Sequence, residues 1–193
     1  MPRRKKVSKV KGRRICQNRT ISKPDELWEL DLKYGYIHGE ERFYFILIII
    51  DVFVRYVVNY HIGLSCTGKD LVLALNIAVE KHKLDTNQLI IRSDNGSQMT
   101  SKVFIKNMES YNNEVIHELI PPATPNKNAH VEAFNSILEI EFMQVRYFHS
   151  YGQAYDETIE FIDKYNTERI HGLLNWNTPI EARKAYLNGG NLG

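Results

Sequence analysis

The stretch LWELDLKYG, residues 27–35, sets Trp28, Leu30, Leu32 and Tyr34 in alternation with Leu27, Glu29, Asp31 and Lys33. A two-residue period is that of a half-buried strand, whose side chains point to opposite faces in turn. Asp31 is therefore expected on the face away from the apolar row. Outward from this segment, the pattern predicts strand 27–34, strand 42–50, a turn at Asp51 to Arg55, strand 56–62, helix 68–83, strand 88–93, helix 101–112, strand 115–120, helix 128–145 and helix 151–168. Gly63, Asn95-Gly96 and Pro121-Pro122 punctuate it.

Two more acids stand where a sheet could aim them at Asp31. Asp94 closes strand 88–93 at the switch from Leu89, Ile90 and Ile91 to the polar loop DNGSQMTS, 94–101, and a carboxylate at a strand end points into a crevice. Glu132 lies in NAHVEAFNSILEIEF, 128–142, where Val131, Phe134, Leu138 and Phe142 recur at a spacing of three to four, the mark of an amphipathic helix. Glu132 shares a flank of that helix with Asn128, Asn135, Ser136 and Glu139. Three carboxylates converging on one point would hold hard divalent cations against phosphates, and without metal at least one should have a raised pKa.

Four segments in order, WELD around Asp31, RSDNGSQMTS around Asp94, TPNKNAHVEAF around Glu132 and YNTERIHGLLNWNTPIEA at 165–182, resemble the DDE transposases and retroviral integrases. The likeness is greatest to insertion-sequence transposases with an integrase-type core and spans about residues 25 to 185. Thirty-seven residues separate Asp94 from Glu132, slightly more than the family pattern, which predicts a small insertion between them. The order βββαβαβα suits an α/β, RNase H-like fold with a mixed five-stranded sheet flanked by helices. In that fold, the resemblance implies, the strands of Asp31 and Asp94 are neighbours and the helix of Glu132 packs beside them. The division expected is a basic, flexible arm at 1–24, the catalytic core at 25–148, and a C-terminal helix and tail at 149–193 packed on that core.

The resemblance implies metal-dependent DNA strand cleavage at mobile-element ends, followed by attack of the freed 3′-hydroxyl on target DNA. Asp31, Asp94 and Glu132 would be catalytic and would ligate two Mg²⁺ or Mn²⁺ ions, with no Ser, Tyr or Cys nucleophile. The alternatives are a ribonuclease H-type nuclease, disfavoured by the 165–182 tail, and a catalytically inert DNA-binding relic, disfavoured by the intact triad. Related transposases often carry a basic residue seven positions beyond the catalytic Glu, whereas this chain has Glu139 there.

The net charge of +2 conceals an uneven distribution: residues 1–24 hold ten Lys or Arg and no acid, leaving fifteen bases against twenty-three acids downstream. Phosphate contacts are thus expected from Arg3, Arg4, Lys5, Lys6, Lys9, Lys11, Arg13 and Arg14, with salt-sensitive affinity, unless the arm is merely solvated. Asn95 and Gln98 would either contact DNA or belong to a plain turn before helix 101–112. Asn128 would touch DNA, orient Glu132 or start the helix, and Arg169 would meet a phosphate or cap and pack the last helix. His130, two positions before Glu132, points across the helix and is expected at the surface. His117-Glu118 does not open a zinc-protease motif, because Pro121 stands where the second His is needed.

A hydrophobic content of 43% fits a soluble globular chain, and the apolar run Phe43 to Ile50 suits a buried strand rather than a membrane span. Cys16 and Cys66 form neither a CxxC pair nor a disulfide framework, and no signal peptide is apparent, which points to a reducing cytoplasm; the resemblance to mobile elements of bacteria implies a bacterial one, nucleoid-associated when bound to DNA. With no helix-turn-helix or zinc module before Asp25, end recognition is expected from a separate protein of an upstream reading frame or from a further N-terminal segment. Assembly as a homo-oligomer on element and target DNA is expected too.

Overall fold

The computed structural model describes residues 14–82, 88–112, 114–121 and 127–190. Its strands are β1 (Arg14–Ile15), β2 (Leu27–Ile37), β3 (Arg42–Asp51), β4 (Val57–Gly63), β5 (Leu89–Ser93) and β6 (Val115–Leu119). Its helices are α1 (Gly68–His82), α2 (Lys102–Ser110), α3 (Ala129–Glu141), α4 (Tyr151–Thr167) and α5 (Pro179–Leu187). The sheet order is β1-β6-β5-β2-β3-β4, antiparallel across β2, β3 and β4 and parallel across β2, β5, β6 and β1. The five expected strands are present, and the sheet gains a sixth at its edge. That sixth strand comes from the basic arm: Arg14 pairs with Glu118 and Ile15 with Leu119, and the Cys16 N–H donates to the Leu119 carbonyl at 3.1 Å. Of the expected DNA contacts, Arg3, Arg4, Lys5, Lys6, Lys9, Lys11 and Arg13 lie outside the described residues, as does the side chain of Arg14.

Apolar side chains cover both faces of the sheet, which corrects the expectation of one apolar side. On one face Trp28, Leu30, Leu47 and Ile49 pack under Leu71 and Leu75 of α1 and Phe104 of α2. On the other, Ile46, Ile48 and Ile50 meet Val131, Phe134 and Leu138 of α3 and Ile162 and Tyr165 of α4. The near-continuous apolar run of β3 follows from this, since a strand buried on both faces cannot alternate. Each such fully buried side chain stabilises the fold by about 1.5–3 kcal/mol. Asp31 pairs with Ile48, so it shares the α3 face and sits at the rim of the second core.

At the β3–β4 turn, Asp51 accepts the N–H groups of Phe53 (2.8 Å), Val54 (3.0 Å) and Asp25 (2.6 Å), a turn-closing role. Its charged neighbour from α5 is Arg183, which also binds Asp25 at 2.6 Å. Sequence reading ran α3 on to residue 145, whereas the helix ends at Glu141 and Met143–Val145 forms a separate 3₁₀ turn. Phe142 leaves the helix to stack on Phe161 at 5.0 Å inside the second core. Helix α5 was not anticipated as an element of its own. Thr178 opens it with a capping box completed by Glu181, and Pro179 occupies its first turn.

Candidate active site

Strand pairing places two of the three acids side by side. β2 and β5 run parallel with Leu30 opposite Ser93, so Asp31 and Asp94 occupy the next row, just past the end of β5. Arg92 pairs with Glu29, which puts Asp94, two residues on, on the same α3-facing side. The Gly96 N–H donates to Asp94 Oδ1 at 2.9 Å, fixing a carboxylate that is otherwise exposed.

Helix α3 brings the third. It runs in the same direction as β2 and is tied to it by three successive rungs. Glu29, 1% exposed, accepts the N–H groups of His130 (2.9 Å) and Val131 (3.0 Å) on Oε2 and faces His130 Nδ1 with Oε1 at 3.0 Å. Asp31 Oδ2 accepts from Asn135 Nδ2 at 2.7 Å. Lys33 Nζ lies 2.7 Å from Glu139 Oε2. Two residues of strand span about 6.6–6.8 Å and four of helix about 6 Å, so the rungs recur in step. Glu132 projects from the first turn of the helix so held and is exposed.

Burial pushes the Asp31 carboxyl up to about 6, and repulsion from Asp94 and Glu132 adds to the rise, while the Leu32 N–H and the Asn135 amide oppose it. Asp94 and Glu132 therefore both lie within electrostatic reach of Asp31. Among the described residues, no group of three His, Cys, Asp or Glu is gathered tightly enough to hold a metal ion as it stands.

The weaker candidates have other occupations. The Asn95 amide donates to the Ile120 carbonyl at 2.8 Å, stitching the end of β5 to the end of β6. Gln98 donates to the Cys66 carbonyl at 3.1 Å, and Ser101 caps α2 by accepting the Phe104 N–H. Asn128 is buried, and its amide donates to the Leu30 carbonyl at 3.2 Å; it occupies the N-cap position of α3 without a side-chain cap bond. Arg169 grips Glu141 through two contacts of 2.6 and 2.9 Å. Glu141 is nine residues beyond Glu132, about 13 Å along the helix, so Arg169 is not brought to the carboxylates.

Sequence reasoning passed over Glu29, which performs the capping that Asn128 does not. No local signal marks it, since in sequence it is one more acid, two residues before Asp31 on the same strand face. His130, expected at the surface, is half-buried against Glu29. Glu139, which stands where a base was expected, meets its base across the gap on β2, and Lys33 holds its carboxyl below the usual range.

Beside Asp94, the Arg92 guanidinium bonds Glu118 and the carbonyls of Gln17 and Lys127, and Glu118 also pairs with Arg19. Lys127 bonds the Asn18 side chain. The segment after β1 is thereby fastened to the residue that leads into α3.

Family models for the integrase core domain match residues 21–125 and, in a second model, residues 113–179. An uncharacterized 39.2 kDa protein of insertion element IS476 from Xanthomonas euvesicatoria is 29% identical over 78% of this chain and 42% of its own. The transposase for insertion sequence element IS629 from Shigella sonnei is 24% identical over 91% of this chain and 57% of its own. The chain thus spans about half the length of the curated relatives it matches. Among solved structures, the HTLV-2 integrase catalytic core domain in complex with magnesium superposes with a TM-score of 0.60 at 15% identity, covering 83% of this chain and 97% of that one. The catalytic domain of the Mos1 mariner transposase gives 0.55 at 16% identity, over 72% of this chain and 70% of that one. At such identities these superpositions establish the fold.

Proposed function

Because the chain belongs to the integrase core domain family, we propose that it is the catalytic core of a DDE transposase, cleaving DNA at the ends of its own mobile element and joining the freed 3′-hydroxyl to target DNA. The observation that carries this is the environment of Asp31, whose carboxyl is raised by burial and by the charges of Asp94 and Glu132 together. A polynucleotide-cutting site needs negative charge concentrated where a cation can compensate it.

The donor set fits Mg²⁺ or Mn²⁺: the three candidates are carboxylates, hard oxygen donors, and two of them are open to solvent. Asp31, Asp94 and Glu132 would hold the ions, which when bound supply Lewis-acid activation of the attacking and leaving oxygens. The chain's own residues set the stage. Asn135 fixes one oxygen of Asp31, the Gly96 N–H fixes one oxygen of Asp94, and Glu29 clamps the helix turn that carries Glu132. With its carboxyl raised to about 6, Asp31 would serve as a ligand only in its ionised form, so below pH about 6 it would have to give up a proton first.

The reaction requires paired element ends, so the working assembly is a homo-oligomer on DNA, with end recognition supplied by a separate protein or a further segment, in the bacterial cytoplasm at the nucleoid. No helix among the described residues is long and apolar enough to cross a membrane. The test is cleavage and strand transfer on DNA carrying the element's ends, in Mg²⁺ and in Mn²⁺. Asp31→Asn, Asp94→Asn and Glu132→Gln should each abolish both steps while DNA binding persists. Unchanged activity in Asp31→Asn and Glu132→Gln would reject the assignment.

A further inference from the structure

The rung beyond Asp31 carries a cation that the three-carboxylate site does not use. Lys33 lies two residues after Asp31 on the same face of β2, about one rung away, and Glu139 holds its ammonium at 2.7 Å. Both side chains are partly open to solvent, at 27% and 35%. An ammonium has three donor hydrogens, and Glu139 accepts one of them. The neighbouring cations are engaged elsewhere: Arg92 is 6% exposed and bound to Glu118, and Arg169 is bound to Glu141 at the far end of α3. Lys33 faces Glu139, and Asp31 stands one rung away on the same strand face, so a DNA backbone arriving beside Asp31 would otherwise meet these two acids on this flank.

We propose that Lys33, held in place by Glu139, donates to a phosphate of the DNA strand next to the one cut at Asp31, making Lys33 a substrate-binding residue and Glu139 its positioning residue. The carboxylate of Glu139 costs the site little repulsion because Lys33 neutralises it, and in exchange it restrains a flexible four-carbon stem that would otherwise sweep through solvent. Lys33 can keep Glu139 and take a phosphate oxygen at once, since the two acceptors occupy different donor hydrogens. The inference rests on the proposed DNA activity, although its own test is of binding.

The experiment measures affinity of the full chain for a fluorescent DNA duplex as a function of salt. Lys33→Ala should weaken binding about fivefold to tenfold at 0.1 M salt and flatten the slope of log affinity against log salt by about 0.9, the signature of one lost phosphate contact. Lys33→Arg should keep the slope. Lys33→Glu should bind worst, and adding Glu139→Lys to it should restore the slope, because the ammonium then reaches the same place from the helix. A partly exposed ion pair that served only stability would leave the slope unmoved in every variant. An unchanged slope in Lys33→Ala, or a swapped pair no better than Lys33→Glu alone, overturns the proposal. Asp31→Asn run alongside separates the two ideas: if it still cleaves DNA the catalytic assignment fails, while the Lys33 contact is judged on its slope alone.

Discussion

Removing the Glu29 carboxylate should loosen the helix that carries Glu132 before it disturbs anything else. Glu29 is buried and accepts two main-chain N–H groups of the first turn of α3, with His130 Nδ1 on its other oxygen. Those N–H groups have no partner within the helix, and the positive end of the helix dipole faces the same carboxylate. In Glu29→Ala both donors lose their partner, the Val131 N–H in a buried position and the His130 N–H in a part-buried one. Hydrogen bonds to a charged acceptor contribute about 1.5–3 kcal/mol each, and removing one side of a buried charged arrangement typically costs about 3–5 kcal/mol, so a loss of about 3–5 kcal/mol is expected. Glu29→Gln keeps an acceptor oxygen and loses the charge, so its cost should be nearer about 1–2 kcal/mol. Urea unfolding reads both. The stabilisation conferred by saturating Mg²⁺ should also shrink in Glu29→Ala, because Glu132 sits one residue beyond the clamped Val131. A loss in Glu29→Ala below about 1 kcal/mol, or a Gln variant as damaged as the Ala variant, would refute the clamp.

The folded Asp31 carboxyl, at about 6 against an ordinary 3.8, holds its proton longer than the unfolded chain does, so without divalent ions stability should fall as pH rises from about 4 to about 6. A cation needs the ionised form, so the rise in melting temperature with Mg²⁺ should grow across that window and level off above it; a shift flat in pH would count against Asp31 as a ligand. Because the Asn135 amide opposes the rise of the Asp31 pKa, Asn135→Leu should move the onset of Mg²⁺ stabilisation to higher pH, and an onset at the parent's pH in thermal scans would rule that bond out as a determinant. Arg183→Met removes the α5 cation facing Asp25 and the fully buried Asp51, and should cost about 3–5 kcal/mol in urea unfolding, with a cost within error of zero excluding α5 as a structural part of the core.

The main elements were legible because their periodicities were strong. Alternation in 27–34 and the three-to-four spacing of Val131, Phe134 and Leu138 both report a buried face, and the structure buries those faces. What escaped was of two kinds. Arg14 and Ile15 end a run of bases whose charge outweighs two residues of strand pattern, and their partners at 118–119 are a hundred positions away. Glu29 reads in sequence as one more solvated acid, since nothing local announces that a helix N-terminus a hundred residues downstream will settle on it. Asn128 shows the converse: its type suits a cap, and burial beside Leu30 turned its amide to another use. Helix α5 was readable, for Thr178-Pro179-Ile180-Glu181 is a complete start signal, and it was hidden only by the irregular loop before it.

The ladder between β2 and α3 behaves like two rulers of nearly equal graduation. Each step of the strand exceeds each step of the helix by about 0.7 Å, so across three marks the scales slip by only about 1.5 Å. Short groups suffice for the middle mark, Asp31 with Asn135, and the longest reach is used at the last, Lys33 with Glu139. Inserting or deleting a single residue in α3 between Val131 and Asn135 would rotate every later mark by about 100° and detach two of the three at once. A substitution on this seam removes one rung and leaves the others in register, whereas a change in helix length there displaces every rung beyond it.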